Sequence, residues 1–266
     1  MKRFTGVIYN ITIIFAIYSI ASYFDPSGQI INLPGLIVVF VGTLGATTMG
    51  QSGKVVFSLL RRLPALLKAS PTTNEVDIAL FVKIADFYRL GNIRYAELGA
   101  RRLESSLLRS GTLLVLDRVA ATNIDRTMQW KIGAQRERDN SEIQVFRTMM
   151  TLAPAFGMLG TLFGLISMLY GLDDGAMQNI GQSMGFAMLT TVYGLLASNL
   201  LFKPIIARLE ANSRRRLAWM FVQVEAVMMM EEKCHSTVIQ EAMLAFLDNP
   251  EISRHRDELE LTAVRM

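Results

Sequence analysis

Four stretches of this sequence hold no charged side chain: Phe4–Phe24, Pro26–Gly53, Thr148–Leu172 and Gly175–Phe202. A helix needs about 20 mostly apolar residues to cross a bilayer, and each stretch is long enough. Lipid offers backbone N–H and C=O groups no partner, so a spanning segment must bond to itself, as a helix does. The sequence therefore predicts an all-α integral membrane protein with four transmembrane helices. The positive mean hydropathy, +0.32, fits that class. Lys2 and Arg3 before the first stretch also resemble the start of a signal peptide, although the apolar run is long for one.

Charge placement sets the expected orientation. The two short connectors, near Asp25 and Asp173–Asp174, contain acids and no Lys or Arg, while every basic residue lies in the other segments. By the positive-inside rule both termini and the long middle segment face the cytoplasm. The expected organisation is residues 1–53 as the first pair of spans and residues 54–147 as a cytoplasmic helical domain. Residues 148–204 form the second pair, and residues 205–266 the cytoplasmic C-terminal helices and tail. The pI near 9.3 follows from this topology; no basic, aromatic-interleaved motif points to nucleic acid.

In the middle segment, "LFVKIADFYRLGNIRYAELGARRLESSLL" mixes apolar and charged positions at helical spacing. Ser70–Pro71, then Thr73 or Asn74, offer a helix start, and Gly91 and Gly111 are expected helix breaks. The segment beginning at Ala207 reads as one or two helices continuing from the fourth span, and the end, from Asp248, starts at a proline turn and is expected to be mobile. No strand is expected.

The chain offers no enzyme chemistry. His235 and His255 are isolated, and no Ser/His/Asp, Walker or metal-ligand spacing occurs. Glu231–Glu232 and Asp173–Asp174 read as solvated helix ends. The single Cys234 supports no disulfide framework and reads as an inert thiol.

The third and fourth stretches each carry a small-residue face. Ala153, Gly157, Gly160, Thr161, Gly164 and Ser167 recur at spacings of three and four, as do Ala187, Thr190, Thr191, Gly194, Ala197 and Ser198. Small residues let helix backbones approach closely in lipid. Packing alone explains them if each Thr hydroxyl bonds a carbonyl one turn back. The alternative is a hydroxyl-lined path at one depth, with Gly157, Gly160, Gly164 and Gly194 admitting a partner helix. No Asp, Glu, Lys, Arg or His lies inside any stretch, although ion movement through a membrane usually needs an ionisable group. Either nothing is transported or another subunit brings the charge. Pro154 and Pro204 flank this region, and position alone reads them as a helix start and a helix end.

The residues "APAFGMLGTLFGLISML", followed after two Asp by "MGFAMLTTVYGLLASNLLFKPI", resemble the MotA/PomA stator subunits of the bacterial flagellar motor, most closely the sodium-type PomA branch. The resemblance implies a homopentamer in the bacterial inner membrane, surrounding two copies of a single-span MotB/PomB-type partner whose membrane Asp binds the ion. That would account for the missing charge. It implies that Pro154 and Pro204 lie near the ion path. It also implies that Thr161 and Thr191, with Thr190 beside them, serve transient sodium binding, with no cofactor and no fixed metal. Arg89 and Glu97, with Arg94 as a competitor, match the charges expected to meet a FliG-type rotor protein, though "YRLGNIRYAELG" departs from the family pattern. Proton drive is the alternative to sodium. An ExbB/TolQ-like energiser of outer-membrane processes would have three spans, and a non-conducting scaffold would tolerate loss of the Thr161 hydroxyl.

Overall fold

The computed structural model describes residues 32–68, 75–173 and 177–248. The expected span Phe4–Phe24, the connector residues Asp25 and Asp174, the helix-start signals Ser70–Pro71, Thr73 and Asn74, and the tail beyond Asp248 with His255 lie outside the described residues. Within them every regular element is a helix. Three helices are long and apolar enough to cross a membrane, contained in Leu33–Gly50, Ala121–Gly171 and Ile180–Glu231.

The chain divides into two compact units, Met1–Leu67 with Ser141–Leu209, and Lys68–Asn140 with Glu210–Met266. In the first, α1 spans Leu33–Gly50 and α2 spans Gly53–Lys68. Asn32 caps α1: its Oδ1 accepts from the Gly35 N–H at 3.0 Å, and a proline fills the first turn, where its missing N–H costs nothing. The Asn32 N–H donates to the Tyr193 hydroxyl at 2.8 Å. Thr43 and Thr47 are buried on α1, each returning its hydroxyl hydrogen to the carbonyl four residues back. Helix α6 runs unbroken over Ala121–Asp173 and supplies residues to both units. Helix α7, Met177–Leu196, passes through a π-helical turn, Ala197–Phe202, into α8, Lys203–Glu231. Below the apolar part of this unit, Val56 and Leu59 of α2 pack with Phe146, Met149, Phe202 and Ile205 in one core.

The prolines therefore do not mark helix ends. Pro154 lies inside α6 and Pro204 inside the continuous α7–α8 rod. Hydropathy places the membrane boundary near both, but the helices do not stop there, because charged residues continue the helical pattern on either side.

The second unit gathers α3 (Glu75–Arg89), α4 (Ile93–Ala100), α5 (Ser106–Leu116), the N-terminal part of α6, the C-terminal part of α8, and α9 (Ser236–Asp248). Its core includes Phe81, Leu103, Leu108, Ile124, Met128, Met230, Ile239 and Met243. Gly91 does break the helix: at φ +81° it turns the chain from α3 into α4, and the Asn92 N–H reaches back to the Phe87 carbonyl. Gly111 does not. It sits inside α5, where an added Cβ would lie 2.8 Å from the end of the Met128 side chain, so its glycine serves close packing. Asp77, nearly buried, accepts the N–H groups of Glu104 and Ser105 at the start of α5.

Asp139 of α6, only 6% exposed, is held by three side chains. Ser213 donates at 2.8 Å, Arg216 at 3.0 Å and Gln135 at 2.8 Å. This clasp ties α6 to α8. Sequence reading missed it because "RERDN" offers several charges in a row and nothing to mark one of them as buried.

Candidate functional site

The small residues of the third and fourth stretches face one another within the chain. A Cβ added at Gly160 would lie 2.5 Å from Thr190 Cβ, and one at Gly157 would lie 2.9 Å from the Thr190 carbonyl oxygen. At Gly164 it would meet Ala187 Cβ and the Ser183 carbonyl at 2.7 Å, and at Gly194 the Ala153 carbonyl at 2.7 Å. Ser167 and Ser183 hydroxyls lie 3.1 Å apart across the same seam. Gly157, Gly160, Gly164 and Gly194 are thus consumed by α6–α7 packing, which corrects the expectation that they admit a partner helix. The physical reason is proximity: two antiparallel helices separated by only three residues in the sequence are the first surfaces able to use each other's missing side chains. A leucine at Gly160 would disturb this chain's own helix pair before any partner met it.

Helix α1 closes on the outside of this seam. The Phe156 ring occupies the space where Gly42 lacks a Cβ, and Thr190 and Tyr193 approach Gly35 at 3.1 and 3.3 Å from its absent Cβ.

The three threonines separate. Thr190 is fully buried between α6, α7 and α1, and its hydroxyl donates to the Ala187 carbonyl at 2.8 Å. It is a packing residue here. Thr161 and Thr191 stand on the other side of the seam and line one groove of about 400 Å³. Leu165, Met184, Ala187, Met188 and Val192 form its remaining, apolar walls. Thr161 donates its hydroxyl hydrogen to the Met158 carbonyl at 2.6 Å, and almost none of the groove surface is polar, so both threonines meet it chiefly through carbon. As it stands the groove is an apolar surface bordered by two threonines. A hard cation prefers several oxygens, so the groove needs further donors to hold one.

At the base of this region Ser198, in the π-helical turn, donates to the Met150 carbonyl at 2.8 Å, and Gly194 lets α7 lie against Ala153 and Pro154. Thus Pro154 and the turn preceding Pro204 are brought together. The sequence marked Ser198 only as one member of a small-residue stripe.

In the second unit, Arg89 and Glu97 stand on the two arms of the α3–α4 hairpin. Each is already in a local pair, Arg89 with Asp86 at 3.2 Å and Glu97 with Arg101 at 2.9 Å. Arg94 is exposed and has no ion pair among the described residues. Phe87 and Tyr95 stack with ring centres 5.9 Å apart, beside exposed Leu90 and Leu98. The hairpin tip therefore presents charge around an apolar patch.

Comparison with known proteins agrees with this architecture. The MotA/TolQ/ExbB proton channel family matches residues 99–220. The uncharacterized protein YtxD of Bacillus subtilis (strain 168) is 31% identical over 198 residues, 73% of this chain and 72% of that one. Motility protein A of Treponema phagedenis is 30% identical over 207 residues, 78% of this chain and 71% of its own. Chemotaxis protein PomA of Vibrio alginolyticus is 26% identical over 231 residues, 87% of this chain and 90% of its own. The flagellar MotAB stator complex from Bacillus subtilis contains a chain of the same fold, with a TM-score of 0.77 at 21% identity over 96% of this chain and 98% of that one. With three described helices able to span a bilayer and relatives of this kind, this is a multi-pass membrane protein. It belongs to the MotA/TolQ/ExbB proton channel family.

Proposed function

We propose that this chain is the ion-path subunit of a flagellar stator in the bacterial inner membrane, working with a single-span MotB/PomB-type partner and driven by sodium. The observation that carries the reading is the groove shared by Thr161 and Thr191. It brings Thr161 and Thr191 to one apolar wall, where a side-chain rotation would present their oxygens, and it leaves the site short of a negative charge and of further ligands. A partner helix bearing a membrane Asp would supply both. The names of the relatives support the stator assignment, since motility protein A and PomA both occur among them. Charge bias supports termini and middle domain on the cytoplasmic side, and family resemblance supports a pentamer.

Sodium is the finer claim, and oxygen chemistry supports it. A proton needs only the partner's carboxylate. A sodium ion needs additional oxygens, and the Thr161 and Thr191 hydroxyls, once rotated toward the groove, are the candidates that border it. Motility is therefore expected to rise with external sodium at fixed pH. Thr161→Ser, which keeps the oxygen, should stay near wild type. Thr161→Val, equal in shape, should lose most of the sodium response. The measurement is swimming speed against sodium concentration. Equal speed without sodium in the wild type would make this a proton-driven stator and the hydroxyls packing groups.

The α3–α4 hairpin is the proposed rotor contact, with a FliG-type protein as the partner. Exposed pairs are worth about 0–1 kcal/mol each, so neutralising Arg89 or Glu97 singly should be mild. Arg89→Glu with Glu97→Lys places like charges beside Asp86 and Arg101 as well as reversing both outward charges. Torque should fall severely while protein level holds. Normal torque in a bead assay would move the contact to Arg94 and the apolar tip.

A further inference from the structure

We propose that Ser198 is a positioning residue for ion coupling: its hydroxyl replaces the hydrogen bond that Pro154 removes and locks the two proline-bearing helices together beneath the Thr161–Thr191 groove. The proposal rests on reading this chain as an ion-driven stator subunit.

Pro154 has no N–H, so the helical bond that would close on the Met150 carbonyl is missing. A carbonyl left unpaired in an apolar setting is costly, and membrane helices tolerate proline where a neighbouring Ser or Thr, or a local π turn, restores the lost bonding. Both devices occur here at one place. The Ser198 hydroxyl crosses from the α7–α8 rod and donates to the Met150 carbonyl at 2.8 Å. The buried Thr43, Thr47 and Thr112 behave differently: each bonds the carbonyl four residues back on its own helix.

Ser198 also belongs to the π-helical turn that precedes Pro204. Its carbonyl accepts the Lys203 N–H, five residues on, one position before the proline. One residue therefore fixes both distortions, its hydroxyl at Pro154 and its carbonyl at the turn before Pro204. Ser198 is 7% exposed and Ala153 fully buried, so water does not readily take over the role. Gly194 makes the approach possible, because an added Cβ there would lie 3.2 Å from Pro154 Cα.

The clamp is placed to matter for coupling. About two helical turns, roughly 10 Å, separate Pro154 from Thr161 on α6, and the same distance separates Thr191 from Ser198 on the other helix. While the bond holds, Thr161 and Thr191 keep one register on the groove. When it opens, each helix bends at its own weak point and the two threonines part.

The test is a double-mutant cycle on the full complex with its partner. Pro154→Ala returns an N–H to the Met150 carbonyl and should make the Ser198 hydroxyl redundant. Ser198→Ala alone should lower the thermal midpoint of the purified complex, Ser198→Thr should restore it, and Ser198→Ala should cost nothing more in the Pro154→Ala background. An equal loss in both backgrounds, or no loss in either, overturns the clamp.

The second readout is speed against the driving ion, external sodium or, if the wild type ignores sodium, external pH. Ser198→Ala should shift the half-saturating ion concentration about fivefold at unchanged protein level, which is what one net hydrogen bond is worth. Ser198→Thr should stay within about twofold of wild type. A melting defect with an unshifted ion curve would make Ser198 merely structural and overturn its positioning role. Failure of the stator reading shows separately, as absence of any motility phenotype on deleting the whole chain.

Discussion

Replacing Gly194 with valine should leave little correctly folded protein in the membrane. The new Cβ would fall 2.7 Å from the Ala153 carbonyl oxygen and 3.2 Å from the Cα atoms of Gly157 and Pro154. All three are backbone atoms, so no side chain can swing aside and the helices must separate by about 1 Å along the seam. Overpacking a tight core costs about 1–3 kcal/mol, and a clash with backbone belongs at or above the top of that range. Separation would also carry Ser198 away from Met150 and open the groove wall. Membrane insertion itself should survive, because valine is more apolar than glycine. The check is the yield of monodisperse protein in detergent, and its melting, against Gly185→Ala on the same helix. An added Cβ at Gly185 meets nothing within 4 Å, so that variant should leave the chain's own helix pair intact. Wild-type yield and melting for Gly194→Val would mean that α6 and α7 do not pack along this face.

The other large effect belongs to the Asp139 clasp. Removing one partner of a buried ion pair costs about 3–5 kcal/mol, because a charge is left behind without its counterion. The two partners differ in exposure, Asp139 at 6% and Arg216 at 39%. Arg216→Met strands the buried carboxylate with only the Ser213 hydroxyl and the Gln135 amide, and should be the more damaging change. Asp139→Leu strands a guanidinium that can recover water, so about 2 kcal/mol is expected after that discount. The double variant, Asp139→Leu with Arg216→Met, should recover much of the loss, since an apolar pair of similar volume needs no counterion. Melting of the purified protein ranks the three. If Arg216→Met is harmless, the clasp contributes nothing and α6 and α8 are held by apolar contacts alone.

The sequence alone determined the class of this protein and the types of its elements. Uncharged runs longer than a bilayer is thick leave helix as the only spanning structure, and Thr148–Leu172 and the described part of Gly175–Phe202, from Met177 on, are helical. Gly91 was legible for a similar reason: a helix ended by a left-handed residue carries a local signature. That Thr161 and Thr191 border one groove accords with their matched depth on consecutive antiparallel helices.

What a small residue faces was not legible. Gly111 packs in the same way as a helix-breaking glycine reads, and Gly157, Gly160, Gly164 and Gly194 suit a partner helix as well as they suit each other. Helical periodicity gives the face on which a residue lies and says nothing of which surface covers it. The same gap hid Asp139 among exposed charges, separated Thr190 from its two companions, and left Pro154 and Pro204 as helix ends when both lie within continuous rods. The sequence shows that Pro154 removes a donor from the Met150 carbonyl, since that follows from covalent chemistry. Only the tertiary structure supplies the Ser198 hydroxyl, because it comes from a residue 48 positions away and depends on how closely two helices approach.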